Sequence, residues 1–269
     1  MSYQTLQLEH KGEVATITLS RPEKRNAISP QMIDDLLVAL QEIETSASRV
    51  VIITGSGKAF CAGMDLEALR SLAGQSLEQH LADSRLVANM FSRIYSFPKP
   101  IIAAVNGAAL AGGCGIATLA DFTLSVPEAK FGYTEVKIGF IPAAVSVFLR
   151  RQTGDKIARD LLISGRIIDA AEAHRLGLVT EIVAAEKLSA RAHEFAGILL
   201  AASPASVTRT KRLLIGYEEA ALKAELEMAI RENAAIKATP DFREGLSAFL
   251  EKREPRWPGR SGKDGKRTE

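Results

Sequence analysis

Two glycine-rich segments carry the residue types best suited to chemistry. One is Phe60-Cys61-Ala62-Gly63-Met64-Asp65-Leu66; the other is Asn106-Gly107-Ala108-Ala109-Leu110-Ala111-Gly112-Gly113-Cys114-Gly115. Each follows a short β-branched run, Val50 to Thr54 and Ile101 to Val105, and each leads into an apolar stretch long enough for a helix. A strand-to-helix turn leaves the first helical N–H groups without an intrahelical acceptor, and the helix dipole suits them to an anion or a developing oxyanion. Two such turns that converge make an oxyanion hole. The bland alternative for the same glycines is tight turns and close helix packing with no ligand.

Taken in order and spacing with Ser20-Arg21-Pro22-Glu23-Lys24-Arg25-Asn26-Ala27, Lys99-Pro100-Ile101-Ile102-Ala103-Ala104-Val105-Asn106-Gly107 and Ala173 to Val179, these segments resemble the crotonase superfamily, also called the enoyl-CoA hydratase/isomerase family. The resemblance spans nearly the whole chain. It implies an α/β fold, a spiral of ββα turns with a C-terminal helical segment, acting on acyl-CoA thioesters. It puts the oxyanion donors on the backbone N–H groups of Met64 and Gly112, so the Met side chain is no objection. Thr134-Glu135-Val136-Lys137-Ile138-Gly139-Phe140-Ile141-Pro142 resembles the stretch that supplies one of the two acid/base glutamates of hydratases, and Glu135 matches that glutamate. A carboxylate facing an apolar acyl pocket has its pKa raised by desolvation and becomes a competent base near neutral pH. For the CoA moiety the resemblance names Lys24, Arg25 and Ala27, then Ala62, Asp65 and Leu66, with Phe249 and Lys252 near the end of the chain. Lysine and arginine suit phosphate there. The family implies no metal and no redox cofactor, CoA being part of the substrate, and assembly as a homotrimer or homohexamer.

The departure from the pattern is as informative. The second hydratase glutamate stands three positions after the oxyanion glycine, and here that position is Gly115. Hydration holds and polarises a water while delivering a proton, work that hydratases share between two carboxylates. Isomerisation of a 3-enoyl to a 2-enoyl thioester needs only one, because the same carboxylate removes the α-proton and returns it at the γ-carbon. Dienoyl isomerases add an Asp eight residues after the shared glutamate, where this chain has Ala143. Isomerisation is therefore the preferred reading, with hydration through Glu135 second; an acyl-CoA hydrolase or a catalytically weak binding scaffold is more remote. A glutamate substituted at Gly115 is expected to face Glu135 across the pocket.

Around these residues the chain must supply strands and helices. Residues 4 to 9 and 13 to 19 alternate about Lys11-Gly12 and predict a hairpin. Ser29 and Pro30 predict a helix start, and Ile33, Leu36, Leu37, Leu40 and Ile43 form its apolar stripe. Val50 to Thr54, Ile101 to Val105 and Phe122 to Val126 read as buried strands alternating with a helix over Leu77 to Tyr95, which implies parallel pairing. Arg166 to Ile168 and Leu178 to Val183 read as short extended pieces within a helical C-terminal half. The organisation expected is a core over residues 1–200, a helical trimerisation segment over 201–255 and a disordered tail over 256–269.

Composition bounds the rest. The 269 residues are 46% hydrophobic with a formal net charge of +2, which offers no field for nucleic acid or a membrane surface, although Arg253 to Arg267 is basic. The start Met1-Ser2-Tyr3-Gln4 lacks a signal-peptide layout, and no apolar run reaches about 18 residues, so a cytoplasmic location is expected. Cys61 and Cys114 read as reduced packing thiols without metal-ligand spacing. His10, His80, His174 and His193 fall outside both turns and offer no base. Thr118 stands where a dinucleotide fingerprint from Gly113 needs its last glycine.

Overall fold

A computed structural model describes residues 3–72 and 74–258. It opens on the hairpin β1 (Leu6–Lys11) and β2 (Val14–Leu19), antiparallel about Gly12. Helix α1 (Pro30–Thr45) starts where the sequence predicts, the Met32 N–H donating to Ser29 Oγ at 3.2 Å. Ile33, Leu36, Leu40 and Ile43 are buried, with Leu37 at the rim of the same core.

Three strand–strand–helix turns follow. The first holds β3 (Val50–Gly55), β4 (Ala59–Cys61), α2 (Leu66–Ser71) and α3 (Leu77–Tyr95). The second holds β5 (Ile101–Val105), β6 (Ala108–Leu110) and α4 (Gly112–Leu119). The third holds β7 (Phe122–Ser125), β8 (Lys130–Gly132), a 3-10 turn over Glu135–Ile138 and α5 (Ala143–Thr153). Beyond them lie α6 (Asp155–Ser164), β9 (Ile168–Asp169), α7 (Ala170–Arg175), β10 (Glu181–Ile182), α8 (Leu188–Leu200), α9 (Pro204–Gly216), α10 (Glu219–Ile236) and α11 (Pro240–Leu250).

The first strand of every turn joins a large sheet of order β1-β2-β3-β5-β7-β10, and the second joins a small sheet of order β4-β6-β8-β9. Pairing is parallel except at the hairpin and at β8 with β9. This is an α/β spiral of ββα turns. All of β5 and the first four residues of β3 are buried, as expected of parallel strands covered on both faces. One expectation is corrected: neither glycine turn leaves its β-branched strand directly, because β4 and β6 intervene. Strands of three residues are too short to show a period of two. The steps of the spiral are also unequal. Val51 faces Ile101 across one step and Ile102 faces Phe122 across the next, the first being more than twice as long because it carries both α2 and α3.

Helix α10 lies along α3 and α5, while α11 lies on α2 and on the 3-10 turn at Glu135. Helix α9 buries none of its residues. Of the tail expected over 256–269, residues 259–269 lie outside the described residues. Among the described residues no helix is long and apolar enough to cross a membrane.

Candidate active site

The first glycine turn is held by Ile28. Its N–H donates to the Gly63 carbonyl at 2.8 Å, and the Asp65 N–H donates to the Ile28 carbonyl at 2.8 Å. The Met64 N–H between those two bonds has no protein acceptor among the described residues. Asp65 Oδ1 caps α2 by accepting from the Glu67 N–H at 2.9 Å, and Oδ2 pairs with Arg21 at 2.9 Å. Burial works to raise the Asp65 carboxyl, but these bonds outweigh it and hold it below the usual carboxylate value.

The second turn is bent at Ala111, whose φ of 48° and ψ of −127° is unusual for a residue with a side chain. Its N–H donates to the Gly132 carbonyl at 2.7 Å. Helix α4 begins immediately afterwards, and its first recorded i to i+4 bond runs from the Gly115 N–H to the Ala111 carbonyl at 3.1 Å. The Gly112 N–H therefore also stays unpaired among the described residues, at a helix N-terminus. The turns touch. A Cβ on Gly113 would stand 2.2 Å from the Cys61 carbonyl oxygen, so only glycine permits α4 to approach β4 this closely. A Cβ on Gly63 would stand 3.5 Å from the Gly112 nitrogen, and one on Gly112 4.0 Å from Met64 Sδ.

Glu135 opens the 3-10 turn after β8, and only 8% of its surface is exposed. Burial pushes its carboxyl up to about 7, and Oε2 has no hydrogen-bond partner among the described residues. Among the described residues no cation pairs with it. A buried carboxylate left in this condition costs stability, which makes Glu135 a candidate functional residue. Met64, Gly112 and Glu135 line one largely apolar cavity, walled by Phe91 of α3, Val145 of α5 and Phe140, among others. None of the histidines lines it. Cys61 and Cys114 are buried and unbridged, and burial pushes both thiols up to about 12.

A groove runs from this cavity to the surface, the two sharing Ala62, Met64, Leu66 and Phe249. Lys24, Arg25, Ala27 and Asp65 line the groove as well. Lys24 is paired with Glu67 at 2.8 Å, and Asp65 is committed to Arg21 and the helix cap. Lys252 lies off the groove, in an adjoining hollow with Leu66 and Phe249. Arg70 of α2 lines the groove too and was not anticipated; its only sequence signal is a basic residue one turn after Leu66. Asn233 of α10, in the cavity wall, carried no signal at all.

Gly115 corrects an expectation. A Cβ there would stand 2.7 Å from Val145 Cγ2 and 3.0 Å from Phe91 Cε1. The room for a second carboxylate is already occupied by two cavity-wall side chains, so a glutamate at this position has to displace them before it can face Glu135.

The chain matches a family model described as enoyl-CoA hydratase/isomerase over residues 9–260. A putative enoyl-CoA hydratase of Thermus thermophilus is 43% identical, over 92% of this chain and 98% of its own length. The 2,3-dehydroadipyl-CoA hydratase of Escherichia coli is 34% identical, over 94% of this chain and 98% of its own. Among solved structures, an enoyl-CoA hydratase/isomerase from Xanthobacter autotrophicus aligns with a TM-score of 0.87 at 32% identity, covering 96% of this chain and all of that one.

Proposed function

Because the chain belongs to the enoyl-CoA hydratase/isomerase family, we propose that it moves the double bond of a 3-enoyl-CoA to the 2-position with Glu135 as the only acid/base group. The deprotonated carboxylate takes a proton from C2, the C3–C4 double bond shifts to C2–C3, and the electron pair passes through a dienolate whose charge rests on the thioester oxygen. The N–H groups of Met64 and Gly112 receive that charge, each donor contributing roughly 10²-fold to 10³-fold in rate. The protonated Glu135 then returns the proton at C4. The CoA moiety lies along the groove with Lys24, Arg25 and Arg70 toward its phosphates, and Lys252 approaches from the side.

The observation that carries this reading is a lone buried carboxyl in an apolar cavity with two unpaired N–H groups, at a site where Phe91 and Val145 fill the second carboxylate's place. A second reading, hydration of a 2-enoyl-CoA through Glu135 alone, is favoured by the names of the relatives from Thermus thermophilus and Escherichia coli. A panel of CoA thioesters separates them. Isomerisation consumes 3-enoyl-CoA and accumulates 2-enoyl-CoA; hydration consumes 2-enoyl-CoA and yields the hydroxyacyl product. Rapid hydration with negligible isomerisation would overturn the first reading, and release of free CoA would point instead to a hydrolase. The assembly proposed is a homotrimer or homohexamer, supported by Leu213 at 56%, Leu214 at 63% and Tyr217 at 70% exposure on and beside α9.

A further inference from the structure

The cavity that contains Glu135 is small, and a larger apolar space adjoins it. A groove of about 670 Å³ runs between α5, α6 and α10, lined by Val147, Ala158, Leu162 and Ala229 among others. Among the described residues the two spaces share only Ile141, Pro142 and Ala143. These three make one tight turn. The Ala143 N–H donates to the Ile141 carbonyl at 2.9 Å, and Pro142, at φ −79° and ψ 55°, has the backbone of an inverse γ-turn. The proline ring fixes φ there, so the turn is a stiff partition a single chain thick. Ile141 packs against the cluster of Ala143, Val147 and Ala229, and the last two line the groove but not the cavity. Its side chain therefore plugs the partition from the groove side.

The volume in front of the partition sets a limit. The cavity measures about 110 Å³, and that space serves Met64 and Gly112 as well as Glu135. An apolar hole of about 150 Å³ is filled by one benzene, so at that packing this cavity takes about four carbons. The walls built by Phe91, Val145 and Phe140 back onto packed core. Behind the turn at Ile141 there is space instead. Resting on the acyl-CoA reading, which gives the mouth near Lys24 and Arg25 to CoA, we infer that Ile141 is a specificity residue. It closes the acyl cavity against the groove and confines the site to short acyl chains, about four carbons counted from the thioester carbonyl. In a site with room to spare, each further buried methylene tightens binding about fourfold. Against a closed wall that gain is lost and overpacking opposes the longer chain.

Saturated thioesters test this without turnover. Calorimetry on the native protein should find octanoyl-CoA binding no tighter than butanoyl-CoA. Tighter binding of octanoyl-CoA would overturn the assignment, because the chain would then have a route past the wall. In Ile141→Ala three carbons leave the plug and the cavity joins the groove, so octanoyl-CoA should gain at least about tenfold on butanoyl-CoA relative to native. An unchanged ratio would overturn it equally. Ile141→Val removes one carbon and keeps the branch at Cβ; it should move the ratio the same way by a smaller factor, and it carries the test if the alanine variant does not fold. Failure of butanoyl-CoA to bind the native protein at all would sink the acyl-CoA reading itself, an outcome distinct from binding with the wrong length preference.

Discussion

At the residue scale, Glu135 links catalysis and stability through one proton. If it is the base, Glu135→Gln keeps the shape and loses the basicity, so turnover should fall at least about 100-fold while CoA-thioester affinity holds. Retention of more than a tenth of native activity would remove Glu135 from the mechanism. For the native protein kcat/KM should rise with pH and level off above an inflection near 7, where burial holds this carboxyl. The sign for stability is opposite. A carboxyl raised from 4.5 to about 7 favours the folded state while it is protonated, fully so below the unfolded value, and that contribution is lost as pH climbs through 7. The loss is about 3 kcal/mol, and Gln cannot suffer it. The melting temperature of Glu135→Gln relative to native should therefore increase between pH 5 and pH 9, and a flat difference would contradict the buried state. The match of Glu135 to the glutamate pattern was legible in the sequence, but its isolation was not. Phe140 and Val145 follow it closely in the chain, but Phe91 comes from α3, remote in sequence, and Phe91 and Val145 sit at ordinary apolar helix positions.

At the element scale, the sequence showed most where local chemistry marks an end. Ser29-Pro30 located α1, and α3 spans Leu77 to Tyr95 as its pattern predicted. It showed least for β4, β6 and β8, three residues each, and these deliver the turns that carry Met64, Gly112 and Glu135. The docking of α11 was equally hidden, because it depends on close backbone contact. A Cβ on Gly245 would stand 2.3 Å from the Ile138 carbonyl carbon, at the end of the turn that holds Glu135. Gly245→Ala should therefore lower stability by about 1–3 kcal/mol and reduce kcat by moving that turn. Gly197 of α8 has open space around it, and Gly197→Ala should be stabilising by roughly 0.5–1 kcal/mol with kcat unchanged. Equal effects from the two substitutions would show that α11 does not brace the site.

At the scale of the whole molecule, α9 is an amphipathic helix with an unburied face. Lys211 anchors it by an ion pair to Asp121 at 2.6 Å, while Leu213, Leu214 and Tyr217 face outward. Sedimentation should find the protein trimeric or hexameric, and Leu213→Glu with Leu214→Glu should shift it toward monomer. A native monomer would refute that assembly. The spiral was implied by resemblance and not by any repeat, since one step is more than twice the length of the next. Its ordering also has a consequence in time. Met64 arrives with the first turn, Gly112 with the second and Glu135 with the third, and Gly113 must lie against Cys61 before α4 can settle. Such long-range parallel pairing forms slowly. During refolding, helix signal and burial should recover ahead of activity, and the chain should pass through a compact but inert species in which Glu135 has yet to dock.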